Sequence, residues 1–452
     1  MTPPKPASRP ARVGLWRYLR LFRRDILSAQ PAHLYRAWMA EFRTPFFRSY
    51  LCNDPALVDH ILKKAPGDFP KSDRVREGLA PLLGRSVFVT NGEEWQRQRR
   101  IIDPAFRAGG PQESYAPMLA AAEAMRDRLR ATDGKVEIEA EASRAAADVI
   151  FRTMFSVPIE DRTARAVFDA FRTYQRSQPL LNLAAFLPLP RWFPRLHRPR
   201  ATKAAARIRA LLAEMTESRS RAMAEGAAPD DLATRLFRQT DSETGQGFSS
   251  AELADQMAIF FLAGHETSAA ALGWALYLLA SHPEVQDRAR AEAAGLPDAP
   301  DMGDVMRLGF LRDIFRETLR LYPPVPMMVR ENLCPVTFRG RAIGPGAQFV
   351  LSPWHLHRHE RLWQQPDEFE PDRWRRADNA APAATAFVPF SAGPRTCPGA
   401  SFAMLEGLVF LAILLRDLRF EVLPAEPPPV PVAHLTVRAQ NGIHLRVTPV
   451  PR

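Results

Sequence analysis

The chain has 452 residues, 46% of them hydrophobic, and carries a formal net charge of +11. That is enough apolar material for a large core, and three cysteines (Cys52, Cys334, Cys397) exclude a disulfide scaffold and fit a reducing compartment. The positive charge comes without zinc-finger spacing, a basic helix ahead of leucine heptads or an RNA-binding aromatic motif, so it reads as solubility and docking of acidic partners, with no nucleic acid.

Residues 1–35 read as a basic, proline-containing arm. The first fifty residues hold ten Lys/Arg against Asp25 and Glu41 and never form the apolar core of a secretory signal. From about 36 to 330 the pattern is mostly helical, with Ala/Leu/Arg periodicity. Within it, Trp95-Gln-Arg-Gln-Arg99-Arg100 places an indole and a guanidinium, both donors suited to a carboxylate, one turn apart. Residues 172–208 carry eight basic side chains and no acidic one, interleaved with Leu180, Leu181, Leu183, Phe186, Trp192 and Phe193. This stretch reads as a mobile lid, with lipid contact as the alternative.

Ser249-Ser-Ala-Glu252 is a capping box that opens a helix over 251–281. Its apolar run 258–280 could span a bilayer by length. Glu266 argues against that, since a central acidic residue costs about 2.5–3.5 kcal/mol on insertion. Ala263 and Gly264 are small enough to leave space on one face. Thr267 can bond the carbonyl four residues back and bend the helix. Glu266, about 100° around from Thr267, can join it as acid and alcohol in one proton path. Pro283 starts the next helix.

Glu317-Thr-Leu-Arg320 sets acid and base on one helix face. Leu321-Tyr-Pro-Pro324 ends that helix, and Arg330 follows a Pro/Val/Met run. Residues 332–352 read as two short strands around Arg339-Gly340 and Gly344-Pro345-Gly346. His355, His357 and His359 alternate, which would align them in an extended strand, but no fourth metal ligand accompanies them. Phe369-Glu-Pro371-Asp-Arg373-Trp374 comes next. Then Phe390-Ser-Ala-Gly393-Pro-Arg395-Thr-Cys397-Pro-Gly399 leads into a helix over 398–417. A cysteine at a helix start meets free N–H groups and the positive dipole end, which favour thiolate over thiol. Such a thiolate can bind a metal or act as a nucleophile. Residues 430–450 read as a closing hairpin turning at Asn441-Gly442. Neither an internal repeat nor a nucleotide-type glycine fingerprint occurs, so no flavin or nicotinamide module is expected.

The cysteine loop resembles the haem-binding loop of the cytochrome P-450 family, and the resemblance runs over roughly residues 36–450. It implies a mainly α fold with a smaller β portion, in which haem b (iron protoporphyrin IX) lies between the long central helix and the cysteine-loop helix. It also implies one catalytic domain over 36–452, with 1–35 as an arm. Cys397 would be the iron ligand, with Phe390 shielding the sulfur and Gly399 letting the backbone pass close to the cofactor. Trp95, Arg99, Arg330 and Arg395 would meet the haem carboxylates, with Lys71 a weaker candidate. Ala263 and Gly264 would flank bound O2, and Glu266 and Thr267 would deliver protons. Glu317, Arg320 and Arg373 would brace the loop.

The implied activity is a monooxygenase that hydroxylates or epoxidises a lipophilic substrate. Its electrons would come from a separate ferredoxin- or flavodoxin-type donor with its reductase. Peroxide-using or lipid-rearranging enzymes, and a haem sensor or carrier, are the rival readings. The expected location is cytoplasmic, with at most peripheral membrane contact. Candidate pocket residues are Val75, Leu79, Leu82, Val87, Phe88, Phe260, Phe261, Ala263, Val325 to Val329 and Leu435.

Overall fold

The computed structural model describes residues 2–43, 48–132, 134–177, 199–433 and 435–450. Helix accounts for 57% and strand for 11% of the chain, so the fold is mainly α with a smaller β portion. The side chains from Leu180 to Phe193 expected to form a lid lie outside the described residues.

The central element is helix Ser250–Ser281, and it is buried almost all round. Its capping box forms as expected: the Ser249 hydroxyl accepts from the Glu252 N–H, and Glu252 accepts from the Ser249 N–H. Helix Ile138–Phe155 packs along one side of it and helix Ala400–Asp417 along another. Pro283 opens helix Pro283–Ala294, where its missing N–H costs nothing. Among the described residues no helix is long and apolar enough to cross a membrane.

A four-stranded sheet orders as β1 (Met39–Arg43), β2 (Arg48–Cys52), β7 (Gln348–Leu351) and β4 (Met328–Glu331). The expectation of two strands over 332–352 needs correcting. Arg339-Gly340 turns β5 (Val336–Phe338) into β6 (Arg341–Ile343), and β7 follows Gly346 as a third strand, paired with β4 and β2. The C-terminal hairpin also differs from expectation. Its arms are β9 (Pro431–Ala433) and β10 (Val437–Ala439), so the turn falls before Asn441. Gly442 bends the chain (φ +78°) into β11 (His444–Pro449), which pairs instead with β8 (Leu418–Val422) and β3 (Lys135–Glu137).

The arm is stitched to this body. Tyr322 donates to the Pro4 carbonyl at 2.8 Å, and the Ala433 N–H donates to Asp25 at 2.8 Å.

Candidate haem site

The cysteine loop is shaped by one tight turn. Gly393 has φ +67°, and a Cβ there would strike the Leu62 carbonyl, so both conformation and space demand glycine. The Cys397 N–H donates to the Phe390 carbonyl at 3.0 Å and closes the loop. Gly399 then stands at the N-cap of helix Ala400–Asp417 without a side-chain cap. A Cβ on Gly399 would lie 3.9 Å from the Cys397 sulfur. The thiol is solvent-accessible, yet it sits deep enough that desolvation dominates and pushes its pKa up. The Gly399 N–H, Arg99 and Lys71 pull the other way without prevailing. Burial outweighs the helix start, and a bound metal ion is what would remove the proton.

Four cations gather around Lys71 beside the loop, and of these Arg99 and Lys71 act on the sulfur itself. Arg99 donates to the Thr396 carbonyl at 3.0 Å and pairs with Asp103. Arg395 donates to the Thr90 carbonyl (3.2 Å) and to Asn91 Oδ1 (2.8 Å), and its guanidinium lies 4.1 Å over the Trp95 ring. Among the described residues the guanidinium of Arg330, on β4 and 4% exposed, donates only to the adjacent Val329 carbonyl at 3.1 Å. Lys71 pairs with Arg330 backbone to backbone, donates to the Phe88 carbonyl at 2.5 Å and sits 3.9 Å over that ring. Burial draws Arg330 down to about 10. Burial plus the charges of Arg330 and Arg99 draws Arg395 to about 9. Lys71 is lowered well below its ordinary value by burial and by all three arginines.

Of these four, only Arg99 has an acid partner among the described residues. Crowding like charges in a desolvated spot is costly without an anion. The donor set therefore fits a ligand that carries two carboxylates beside a metal able to take a sulfur, and the haem group has both. Arg97 and Arg100 point elsewhere, to Glu252 (2.6 Å) and to Asp241 and Glu243.

Cys397, just ahead of one of the packed helices, and Ala263, midway along the other, are both solvent-accessible. A Cβ at Gly264 would run into the Ile150 side chain of helix Ile138–Phe155, so helix packing favours a glycine there. Thr267 donates to the Ala263 carbonyl at 2.5 Å, the expected back-bond. Glu266 is buried and held from outside its helix. Thr436 donates to its Oε1 at 2.9 Å, and Arg438 pairs with the same oxygen at 3.1 Å. Both partners lie about 170 residues downstream, and no local spacing marked them. His265 stacks on Phe261 and meets Phe168 and Phe171 edge-on, and burial lowers its pKa to about 3.

Glu317, Arg320 and Arg373 come together with no exposed side-chain surface. Arg320 Nη2 donates to Glu317 Oε1 at 2.8 Å, and Arg373 Nε donates to the same oxygen at 3.1 Å. Burial acts to raise the Glu317 pKa, but the two guanidinium groups bring it below the ordinary value. The remaining N–H groups tie down the His357, Pro366, Glu368, Gln364 and Gln365 carbonyls. His357 Nε2 accepts from the Val388 N–H at 2.9 Å, linking this cluster to the start of the cysteine loop. The three alternating histidines do not share a site: His355 bonds Ser352 and His359 stacks on Trp38. No group of three metal-ligating side chains of the His/Cys/Asp/Glu type is found among the described residues. Of the expected pocket residues, Leu82 and Phe261 are wholly buried in the core.

A family model described as Cytochrome P450 matches residues 33–446. Cyclooctat-9-en-7-ol 5-monooxygenase of Streptomyces melanosporofaciens is 32% identical over 431 residues, covering 91% of this chain and 87% of that protein. Cytochrome P450 4A7 of Oryctolagus cuniculus is 31% identical over 427 residues, 88% of this chain and 80% of that one. Cytokinin hydroxylase of Arabidopsis thaliana is 29% identical over 409 residues, 88% and 79% respectively. The crystal structure of the cytochrome P450DA heme domain matches 99% of this chain and 98% of that one, with a TM-score of 0.79 at 24% identity.

Proposed function

This chain belongs to the cytochrome P450 family and is a haem monooxygenase, and from that premise we propose how its own residues serve the reaction. The cofactor is haem b, and the catalytic domain is 36–452 with the arm 1–35 laid against it. The substrate is lipophilic, one atom of O2 enters a C–H or C=C bond, and a separate ferredoxin- or flavodoxin-type protein with its reductase supplies the electrons. The enzyme works in the cytoplasm, at most peripherally on a membrane.

The observation that carries this reading is the cluster of Lys71, Arg330 and Arg395 beside Cys397, one buried and two half-buried cations without an acidic partner among the described residues. Cys397 would hold the iron. Arg99, Arg330, Arg395 and Trp95 would hold the two carboxylates, joined by Lys71. Phe390 and Gly399 shape the loop around the sulfur. When bound, the haem supplies an iron that reduces and splits O2, and a thiolate ligand favours O–O cleavage.

The chain itself handles protons. Thr267 spends its hydroxyl hydrogen on the Ala263 carbonyl, so it must rotate to donate elsewhere. Glu266 is tied through Oε1 to Thr436 and Arg438, and it would carry protons from that tethered position. Ala263 leaves the helix surface bare one turn before Thr267, while Gly264 lets the helix seat on Ile150. Glu317, Arg320 and Arg373 hold the strands of loop that carry Cys397 and take no proton.

The test is the absorption spectrum of the reduced, CO-bound protein. Wild type is expected to show the red-shifted band of a thiolate ligand, and Cys397→Ala to lose it. A red-shifted band that survives the substitution overturns the assignment.

A further inference from the structure

Helix Leu15–Arg24 divides cleanly by exposure. Tyr18, Leu19, Leu21 and Phe22 are half-buried, whereas Trp16, Arg17, Arg20, Arg23 and Arg24 are exposed. At about 100° per residue the exposed five fall within a stripe of about 120°. The inner face is anchored. The Tyr18 and Phe22 rings lie 5.6 Å apart, Arg9 lies 5.6 Å over Tyr18, and burial pushes the Tyr18 hydroxyl up to about 12. The end of the helix is also fixed. Asp25 accepts from the Ala433 N–H, and the Ile26 N–H donates to the Ala433 carbonyl at 3.2 Å. The outer stripe is therefore presented by a docked helix, not by a loose tail.

That stripe has nothing to satisfy it within the chain. None of the four arginines makes an ion pair among the described residues, although arginines elsewhere on the surface are paired, as Arg288 is with Asp372 and Arg376 with Asp378. Trp16 is 84% exposed. An indole prefers a boundary where its ring meets apolar matter and its N–H meets water. Val430 and Leu435, also exposed, flank the β9 strand that holds the helix end. No acidic side chain is exposed along the helix, since Asp25 is turned inward.

We propose that the outward stripe of helix Leu15–Arg24 docks the protein on an anionic lipid surface, with the arginines at the headgroup phosphates and Trp16 at the headgroup boundary. This deepens the peripheral-membrane part of the reading above and does not depend on the reaction. The stripe favours lipid over an acidic protein because it offers evenly spread charge around a single protruding ring. Binding of this kind is electrostatic, shallow and sensitive to salt.

The experiment uses the full-length haem-loaded protein and sedimenting vesicles of phosphatidylcholine, alone or with phosphatidylserine. Wild type is expected to co-sediment with the anionic vesicles only. It is expected to release as salt rises from about 0.15 M to about 1 M, where the screening length shrinks from about 8 to about 3 Å. The double substitution Arg20→Gln, Arg23→Gln should weaken binding about ten-fold or more, and Trp16→Ser should weaken it several-fold. Both variants should keep the wild-type reduced CO spectrum, so that failure here is separate from failure of the haem assignment. Equal vesicle binding by wild type and the double variant overturns the proposal, as does absence of wild-type binding at low salt. A third result also overturns it: vesicle binding unchanged while reduction by an acidic carrier protein slows in the double variant.

Discussion

The Ser268 hydroxyl, on the helix that carries Glu266 and Thr267, donates to the carboxyl group of Glu406, on the helix that follows Cys397. This bond joins the two helices expected to face the cofactor. Among the described residues no cation accompanies Glu406, which is 2% exposed, and its Oε1 has no hydrogen-bond partner. It borders a cavity of about 10 Å³ lined also by Ala146, Leu272, Phe315 and Gly407, the lower limit for one water. Burial lifts its pKa from 4.5 to about 8, with Ser268 acting slightly against the rise.

A raised acid binds more protons folded than unfolded. Its contribution to stability is therefore complete below about pH 4.5 and fades as pH climbs through about 8. Glu406→Gln keeps the shape and removes the titration. Thermal melting across this range should show the wild type losing stability relative to the variant toward alkaline pH. Parallel pH profiles for the two proteins would refute the assignment.

Thr436 and Arg438 restrain Glu266 from outside its helix. Arg438→Gln should lower the product formed per electron, because the carboxylate loses its charged partner, while the CO spectrum stays unchanged. Thr436→Val removes one of the two donors on Glu266 Oε1, a loss of about 1 kcal/mol in stability. Thr267→Ala should divert electrons into peroxide. Coupling of product to electrons that stays at the wild-type level in Thr267→Ala and Arg438→Gln would place the proton path elsewhere.

The Glu317 cluster has a different sensitivity. Glu317→Ala strands two buried guanidinium groups, so a loss of about 3–5 kcal/mol is expected, with poor haem incorporation. Glu317→Gln should not rescue it, because an amide cannot neutralise either arginine. Melting temperature and haem content read the outcome. A well-folded, fully loaded Glu317→Gln protein would show the cluster to be dispensable.

Arg330→Met offers a test with two opposite signs. Without a bound anion, replacing a buried, unpaired guanidinium with an apolar chain is neutral or stabilising. With the cofactor, the same change removes a carboxylate partner. The cofactor-free protein should melt no lower than wild type, yet haem should leave the loaded variant about ten-fold faster or more, a cost of about 1.4 kcal/mol or above. Unchanged haem release would remove Arg330 from the carboxylate set.

The features legible in the sequence share a local cause. Gly393, Cys397 and Gly399 stand within a few residues of one another, and the loop they form follows from backbone freedom and close approach. Ser249 with Glu252, Pro283, and Thr267 bonded to Ala263 are contacts of three or four residues, or a single ring at a helix start. Their spacing is their geometry, and the mainly α fold follows from many such segments.

What the tertiary structure alone decided depends on elements far apart in the chain. Gly264 is small because Ile150 packs there, and Glu266 is tied by a hairpin about 170 residues away. The strands β9 and β10 pair with each other, while β11 leaves for β8 and β3, a choice that alternation within 430–450 does not encode. The local rule for Cys397 pointed to a thiolate. Desolvation by the surrounding fold acts against it, because the free energy of a charge is set by everything packed around it, not by its nearest neighbours along the chain.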